Sequence, residues 1–158
     1  MANKRDGNPE PAFDCALKFL SYRARSEKEV GKKLVQLGFS EKTVAATIDK
    51  LRALHYLNDE TFAREWARGR AEGRGYGPLR IERELRQKGI ERSMIHEVVR
   101  EAFGQGEGKD KARMLLEKRF RGKDLGDRKV LNRAIAFLQR RGYRSSVIAE
   151  VLKQPVDE

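Results

Sequence analysis

Apolar residues recur along this chain at helical spacing. Phe13, Ala16, Leu17 and Leu20 make one stripe, Val30, Leu34 and Leu37 a second, and Val44, Ile48 and Leu51 a third. This is the i, i+3, i+4, i+7 pattern of helices that bury one face. The succession runs twice more. Phe62, Ala63, Trp66 and Ala67 are followed by Ile81 and Leu85, then by Ile95, Val98, Val99 and Ala102. Ala112, Leu115, Leu116 and Phe120 are followed by Val130, Leu131, Ala134, Ile135 and Leu138, then by Val147, Ile148, Val151 and Leu152. No segment alternates with the period of two that marks a half-buried strand, so the pattern predicts an all-α fold of about nine helices.

The stripes belong to an internal repeat. Leu34 to Phe39, Leu85 to Ile90 and Leu138 to Tyr143 share one signature, a leucine, three residues, a glycine and an apolar residue; Gly38, Gly89 and Gly142 are 51 and 53 residues apart. Ten residues past each leucine stands Val44, Ile95 or Ile148, and four further on Ile48, Val99 or Leu152. The economical reading is three tandem three-helix repeats in an elongated arrangement. Modules of about 50 residues bury too little surface to be stable alone and are expected to lean on one another. The expected boundaries are a flexible N-terminus over 1–12, repeats over 13–57, 58–103 and 109–154, and a Gly-rich linker over 104–108 as the natural hinge. Ser26 with Glu29 reads as a capping box, Ser40 and Asn58-Asp59-Glu60 as further helix starts, and Pro78 as a first helical residue. Each repeat glycine sits where a helix end favours a left-handed residue, and Pro155 is expected to close the last helix. From Ala16 to Leu34 is 18 residues, from Ala63 to Leu85 is 22 and from Ala112 to Leu138 is 26, which places the variation on one connection per repeat.

Candidate chemistry is sparse. The lone Cys15 offers neither a disulfide nor a cysteine-based metal site. Of the two histidines, His96 begins a His-Glu-Val-Val-Arg run in which Arg100 stands where a zinc protease needs its second ligand. The Gly73 to Pro78 tract has the glycines of a phosphate cradle without the Lys-Ser/Thr that completes one. The residues therefore argue against an enzyme, with no catalytic residue, metal or cofactor expected. The longest apolar runs fall far short of the ~20 residues a membrane span needs. The first residues lack the apolar core of a signal peptide, and a soluble cytoplasmic protein is expected.

Charge changes the picture. The 158 residues carry 35 Lys and Arg against 24 Asp and Glu, a formal net charge of +11. Residues 1–58 have 11 basic and 7 acidic groups, 59–103 have 10 and 9, and 104–158 have 14 and 8, so the positive excess lies toward the two ends. Such a balance implies an acidic partner, nucleic acid or acidic protein. Candidate contact residues are Lys118, Arg119, Arg121, Arg140, Arg141 and Arg144 in the third repeat, and Arg80, Arg83 and Arg86, which recur at three-residue spacing in the second. The alternative for this last group is a solvated face paired with Glu82 and Glu84. Three helices with a glycine turn before the last also suggest helix-turn-helix readers. The third helices mix signs, however (Glu41, Lys42, Asp49; Arg92, His96, Glu97; Arg144, Glu150), which disfavours sequence-specific readout.

Three stretches carry a family resemblance: Tyr22-Arg23-Ala24-Arg25-Ser26-Glu27-Lys28-Glu29-Val30; Tyr56-Leu57-Asn58-Asp59-Glu60-Thr61-Phe62-Ala63; and Gly75-Tyr76-Gly77-Pro78-Leu79-Arg80-Ile81 followed by Leu85-Arg86-Gln87-Lys88-Gly89-Ile90. In order and spacing they resemble the RecX family, regulators of the RecA recombinase, over about residues 13–153. The resemblance implies a cofactor-free set of three-helix repeats that binds the RecA filament on DNA along its groove. It further implies restraint of RecA's ATP hydrolysis, strand exchange and coprotease activity. It adds Arg23 and Arg25, with Arg80, as motif arginines. The expected partners are the RecA filament and, weakly and without sequence preference, single- or double-stranded DNA; a monomer with no membrane contact is expected. The competing reading is a sequence-independent helical nucleic-acid-binding protein that acts without RecA.

Overall fold

The computed structural model describes residues 8–153, and these form nine α-helices and no strand: α1 (Glu10–Tyr22), α2 (Glu27–Gln36), α3 (Glu41–Ala53), α4 (Asp59–Gly73), α5 (Pro78–Gln87), α6 (Arg92–Phe103), α7 (Lys109–Arg119), α8 (Arg128–Arg141) and α9 (Ser145–Lys153). Each apolar stripe of the sequence falls on its own helix, with Leu37 and Phe120 standing just past the ends of α2 and α7 as C-caps. The repeat register holds at its two diagnostic positions. Leu34, Leu85 and Leu138 are each fully buried. Gly38, Gly89 and Gly142 have φ of +91°, +78° and +95°, the left-handed conformation that only glycine adopts without strain.

The chain divides into two compact units, one up to Ala63 together with Gln87–Glu91, the other Arg64–Arg86 together with the chain from Arg92 onward. The division runs through α4 and leaves the Gly104–Gly108 tract inside the second unit. That tract forms hydrogen-bonded turns, with Gly104 donating to the Arg100 carbonyl at 2.7 Å and Lys109 to that of Gly106 at 3.0 Å. Gly108, buried and left-handed at φ +85°, precedes α7 as its N-cap.

In the first unit α1, α2 and α3 pack pairwise around Ala12, Ala16, Val30, Leu34, Phe39, Val44, Leu51 and Leu57. The larger α1 residues Phe13, Leu17 and Leu20 are only partly buried, because two alanines one turn apart let that face come closest to its neighbours. This corrects the flexible N-terminus expected over 1–12. Asn8 accepts the Glu10 N–H at 3.1 Å, α1 starts at Glu10 with proline in its first turn, and Ala12 belongs to the core. Residues 1–7 and Pro155 lie outside the described residues.

In the second unit α7, α8 and α9 pack pairwise around Ala112, Leu116, Ala134, Leu138, Tyr143, Val147, Ile148 and Val151. Ala67 and Ala71 on α4, Ile81 and Leu85 on α5, and Ile95, Val98 and Val99 on α6 are buried as well. The lengthening first-to-second connection has two origins. The α1–α2 and α4–α5 linkers, Arg23–Ser26 and Arg74–Gly77, are equally long, and the second repeat's extra residues form another turn of α4. Only the third repeat has a longer loop, Phe120–Asp127, ending in the N-cap Asp127, which accepts the Lys129 N–H at 2.9 Å.

Truncating the buried Leu85 to alanine removes a core side chain and should cost about 2 to 5 kcal/mol. Met114→Ala, at a side chain left 69% exposed, should change stability by no more than about 0.5 kcal/mol. Urea denaturation of both variants checks the register of the repeat, and equal effects would overturn it.

Candidate partner-binding surface and the helix junctions

Five of the ten arginines singled out in the sequence, Arg23, Arg25, Arg80, Arg141 and Arg144, turn out to sit where the second helix of a repeat begins or against that start. In the first unit, Ser26 accepts the Glu29 N–H at 3.2 Å as N-cap of α2 and donates its own hydroxyl to the Lys88 carbonyl at 2.7 Å. The expected capping box is half made, since Glu29 turns its carboxylate elsewhere. That carboxylate meets Arg23 at 2.7 Å, Lys88 at 3.3 Å and Arg25 at 3.6 Å. Burial alone would raise the Glu29 pKa, but the hydrogen bond from Arg23 and the charges of Lys88 and Arg23 outweigh it and hold the group below the usual carboxylate range. Arg25 also lies 4.0 Å over the ring of Phe19, a favourable cation–π contact. The Glu27 N–H is capped by Asp59 of α4 at 2.9 Å, and Glu27 itself takes two bonds from Arg52, at 2.8 and 2.9 Å. Burial, with Glu27 close by, pushes the Asp59 carboxyl above its ordinary value despite the backbone bond it accepts.

The second unit repeats the device with backbone in place of the serine. The Gly77 N–H donates to the Arg141 carbonyl at 2.6 Å and the Leu79 N–H to the Gly142 carbonyl at 2.9 Å. The first turn of α5 thus satisfies the carbonyls left over at the end of α8, and its positive dipole end meets the negative one. Ser26 and Gly77 are 51 residues apart, and each donates to the carbonyl just before a repeat glycine. Side chains close the seam. Arg80 donates to the Arg140 carbonyl at 3.2 Å, Arg141 to that of Arg74 at 2.6 Å, and Tyr143 to that of Gly75 at 3.1 Å. Burial pushes the Tyr143 phenol up to about 12, with Arg141 opposing only part of the rise. Arg144 pairs with Glu82 at 3.2 Å and Glu107 at 3.7 Å.

The eleven candidate residues therefore separate. Arg25, Arg80, Arg141 and Arg144 are half-buried and held by their own chain, and Arg23 is exposed but tied to Glu29. Arg83, Arg86, Lys118, Arg119, Arg121 and Arg140 have exposed side chains that make no ion pair among the described residues. Arg83 and Arg86 lie on α5, Lys118 and Arg119 end α7 with Arg121 two residues beyond it, and Arg140 lies in the last turn of α8. Arg25 with Glu29 and Arg80 with Glu84 are i, i+4 pairs, a signal that the sequence already held. Asp59 carried no such signal, because its partner Glu27 comes from another helix, and the contacts of Trp66 and Arg70 with Glu84 likewise join α4 to α5; the stack of Arg70 on Trp66 is again an i, i+4 pair. Among the described residues no group of three or more His, Cys, Asp or Glu is placed to hold a metal ion, and no helix is long and apolar enough to cross a membrane.

Three consecutive three-helix modules, with arginines at the helix junctions, define an all-α helical-repeat protein. The family models agree in number, order and extent: RecX first three-helix domain over residues 12–51, second over 58–99 and third over 107–152. The chain belongs to the RecX family. It is 34% identical over 148 residues to the regulatory protein RecX of Mycobacterium sp. (strain JLS), covering 90% of this chain and 80% of that one. With the regulatory protein RecX of Trichlorobacter lovleyi it shares 30% over 148 residues, covering 92% and 96%. The crystal structure of RecX from Lactobacillus salivarius superposes with a TM-score of 0.79 at 26% identity, over 92% of this chain and 94% of that one.

Two predictions follow from the seams. A Cβ on Gly142 would lie 2.6 Å from the Arg80 nitrogen, whereas one on Gly104, also at positive φ, would meet nothing within 4 Å. Gly104→Ala should cost on the order of 1 kcal/mol from backbone strain and Gly142→Ala at least roughly twice that; thermal unfolding of the pair separates strain from contact. At Asp59 the raised pKa means that the folded protein favours the neutral acid, so the charge costs stability above the folded pKa and that cost fades as pH falls through it. Asp59→Asn keeps an acceptor for Glu27 and should be neutral or stabilising at pH 7, with the gain shrinking in acid, while Asp59→Ala should destabilise at both. Denaturation of the three proteins at pH 7 and pH 4 reads the difference.

Proposed function

We propose that this chain acts by binding rather than by catalysis, as a negative regulator of the RecA recombinase. In this reading it lies along the groove of the RecA filament on DNA in the cytoplasm, as a monomer, and restrains ATP hydrolysis, strand exchange and coprotease activity. The observation that supports it is the presence of all three RecX domains in order, on a chain whose exposed Arg83, Arg86, Lys118, Arg119, Arg121 and Arg140 remain available to a partner. A nucleoprotein filament presents phosphates and acidic protein groups side by side, and arginine forks suit both. Basic groups distributed along one chain engage such a lattice together, so that each raises the effective concentration of the others.

The test is DNA-dependent ATP hydrolysis by RecA on single-stranded DNA, with this protein at ratios too low to coat the DNA. Inhibition is expected at those ratios. Lys118→Glu combined with Arg119→Glu and Arg121→Glu should raise the concentration needed by about tenfold or more and flatten its dependence on salt, while leaving the fold intact. Arg141 and Arg144 are unsuitable for charge reversal because they hold the α5–α8 seam. Full potency in the folded triple variant would remove the α7 end from the contact surface. Inhibition that appears only once the DNA is coated would favour nucleic-acid binding without RecA.

A further inference from the structure

In the second unit three guanidinium groups converge on one aromatic ring. The central carbons of Arg80, Arg70 and Arg141 lie 3.7, 6.0 and 6.0 Å from the centroid of Tyr76. What holds them there is mostly not countercharge. Arg70 also lies 4.2 Å over Trp66, while Arg80 and Arg141 each use one terminal nitrogen on a backbone carbonyl. The carboxylate beside them, Glu84, accepts the Trp66 indole N–H at 3.1 Å and comes no closer than 3.8 Å to the Arg70 Nε and 3.9 Å to the Arg80 Nε, beyond hydrogen-bond reach. Two of the three cations thus share the Glu84 carboxylate at long range, and the Arg80 Nε, like those of Arg25 and Arg144, is buried with no hydrogen-bond partner. A buried charged donor lacking an acceptor is unfavourable unless something supplies one.

We infer that this cluster is a binding site for a phosphoryl group, held by Arg70, Arg80 and Arg141 beside Tyr76. The guanidinium forks match phosphate oxygens and are already fixed by stacking and by backbone carbonyls, so little side-chain freedom is lost on binding. The arginines remain accessible, with side chains 28% and 31% exposed for Arg70 and Arg80. A free phosphate, a nucleotide and a nucleic-acid backbone all present the group this site takes. The inference stands whether or not the chain acts on RecA.

Trp66 is the chain's only tryptophan and lies under Arg70, so it reports directly on the site. The full-length protein is titrated with inorganic pyrophosphate, in parallel with sodium chloride at matched ionic strength, and with a short oligothymidylate in a separate arm. Calorimetry is the second readout. A saturable response to pyrophosphate beyond that of the chloride series is expected. Arg70→Gln, which removes only a stack and a long ion pair, and Arg141→Gln should each weaken it by about tenfold. Arg68→Gln, exposed on the same helix, should leave it unchanged, and circular dichroism verifies that each variant is folded. Competition by oligothymidylate assigns nucleic-acid phosphates to the same site, and its failure to compete restricts the site to small phosphate ligands. A pyrophosphate response identical to that of chloride, or one equal in all three variants, overturns the assignment.

Discussion

Much of this structure depends on one contact, the N–H of Gly77 meeting the carbonyl of Arg141 at 2.6 Å. A helix start abuts a helix end there, and a Cβ on Gly77 would lie 2.6 Å from the Gly142 carbonyl group. Such an approach is possible only between glycines. Once made, it brings Arg80 beneath the last carbonyls of α8 and Tyr143 onto Gly75. In the first unit a serine hydroxyl does the work of the Gly77 N–H, and the matching carbonyl, that of Lys88 just before the repeat glycine Gly89, receives it. There a Cβ would lie 2.6 Å from that of Lys28. Two chemically different donors satisfying one acceptor position explain why the stretches Arg25-Ser26-Glu27 and Tyr76-Gly77-Pro78 differ in residues yet occupy matching places in their repeats.

The parts of the fold that depend on period were legible in the sequence. Leu34, Leu85 and Leu138 and their glycines recur at nearly constant spacing because each repeat solves the same packing problem with the same few residues. What resisted reading depends on partners far along the chain. Asp59 looks like a helix cap and serves instead to cap α2, 32 residues earlier. Arg141 and Arg144 look like part of one basic run with Arg140, but the backbone turn at Gly142 and the packing of Tyr143 direct them inward while Arg140 stays exposed. Ala12 and Ala71 escaped notice because a methyl group adds little to an apolar stripe, although small size is what qualifies them for the closest helix contacts. The division into two units was likewise hidden, since it follows long-range contacts rather than the repeat.

The net charge of +11 overstates how much positive surface a partner meets. Several arginines are occupied by aromatic faces and carbonyls, groups that neutralise no charge yet fix its position. Guanidinium tolerates this better than ammonium, being planar and weakly hydrated. This arginine-rich chain therefore has two populations of the same residue, one held by its own fold and one exposed, and beyond the i, i+4 pairs it is the three-dimensional arrangement that distinguishes them.

The two seams also rely on different forces. Around Ser26 the contacts are largely carboxylate pairs at partly exposed side chains, Arg52 with Glu27 and Arg23 with Glu29, which dissolved ions weaken. Around Gly77 the central bonds are amide to carbonyl, which ions scarcely touch. Ionic strength thus acts on this molecule as a selective loosening agent, softening the unit that contains α1 to α3 while leaving the α5–α8 seam closed.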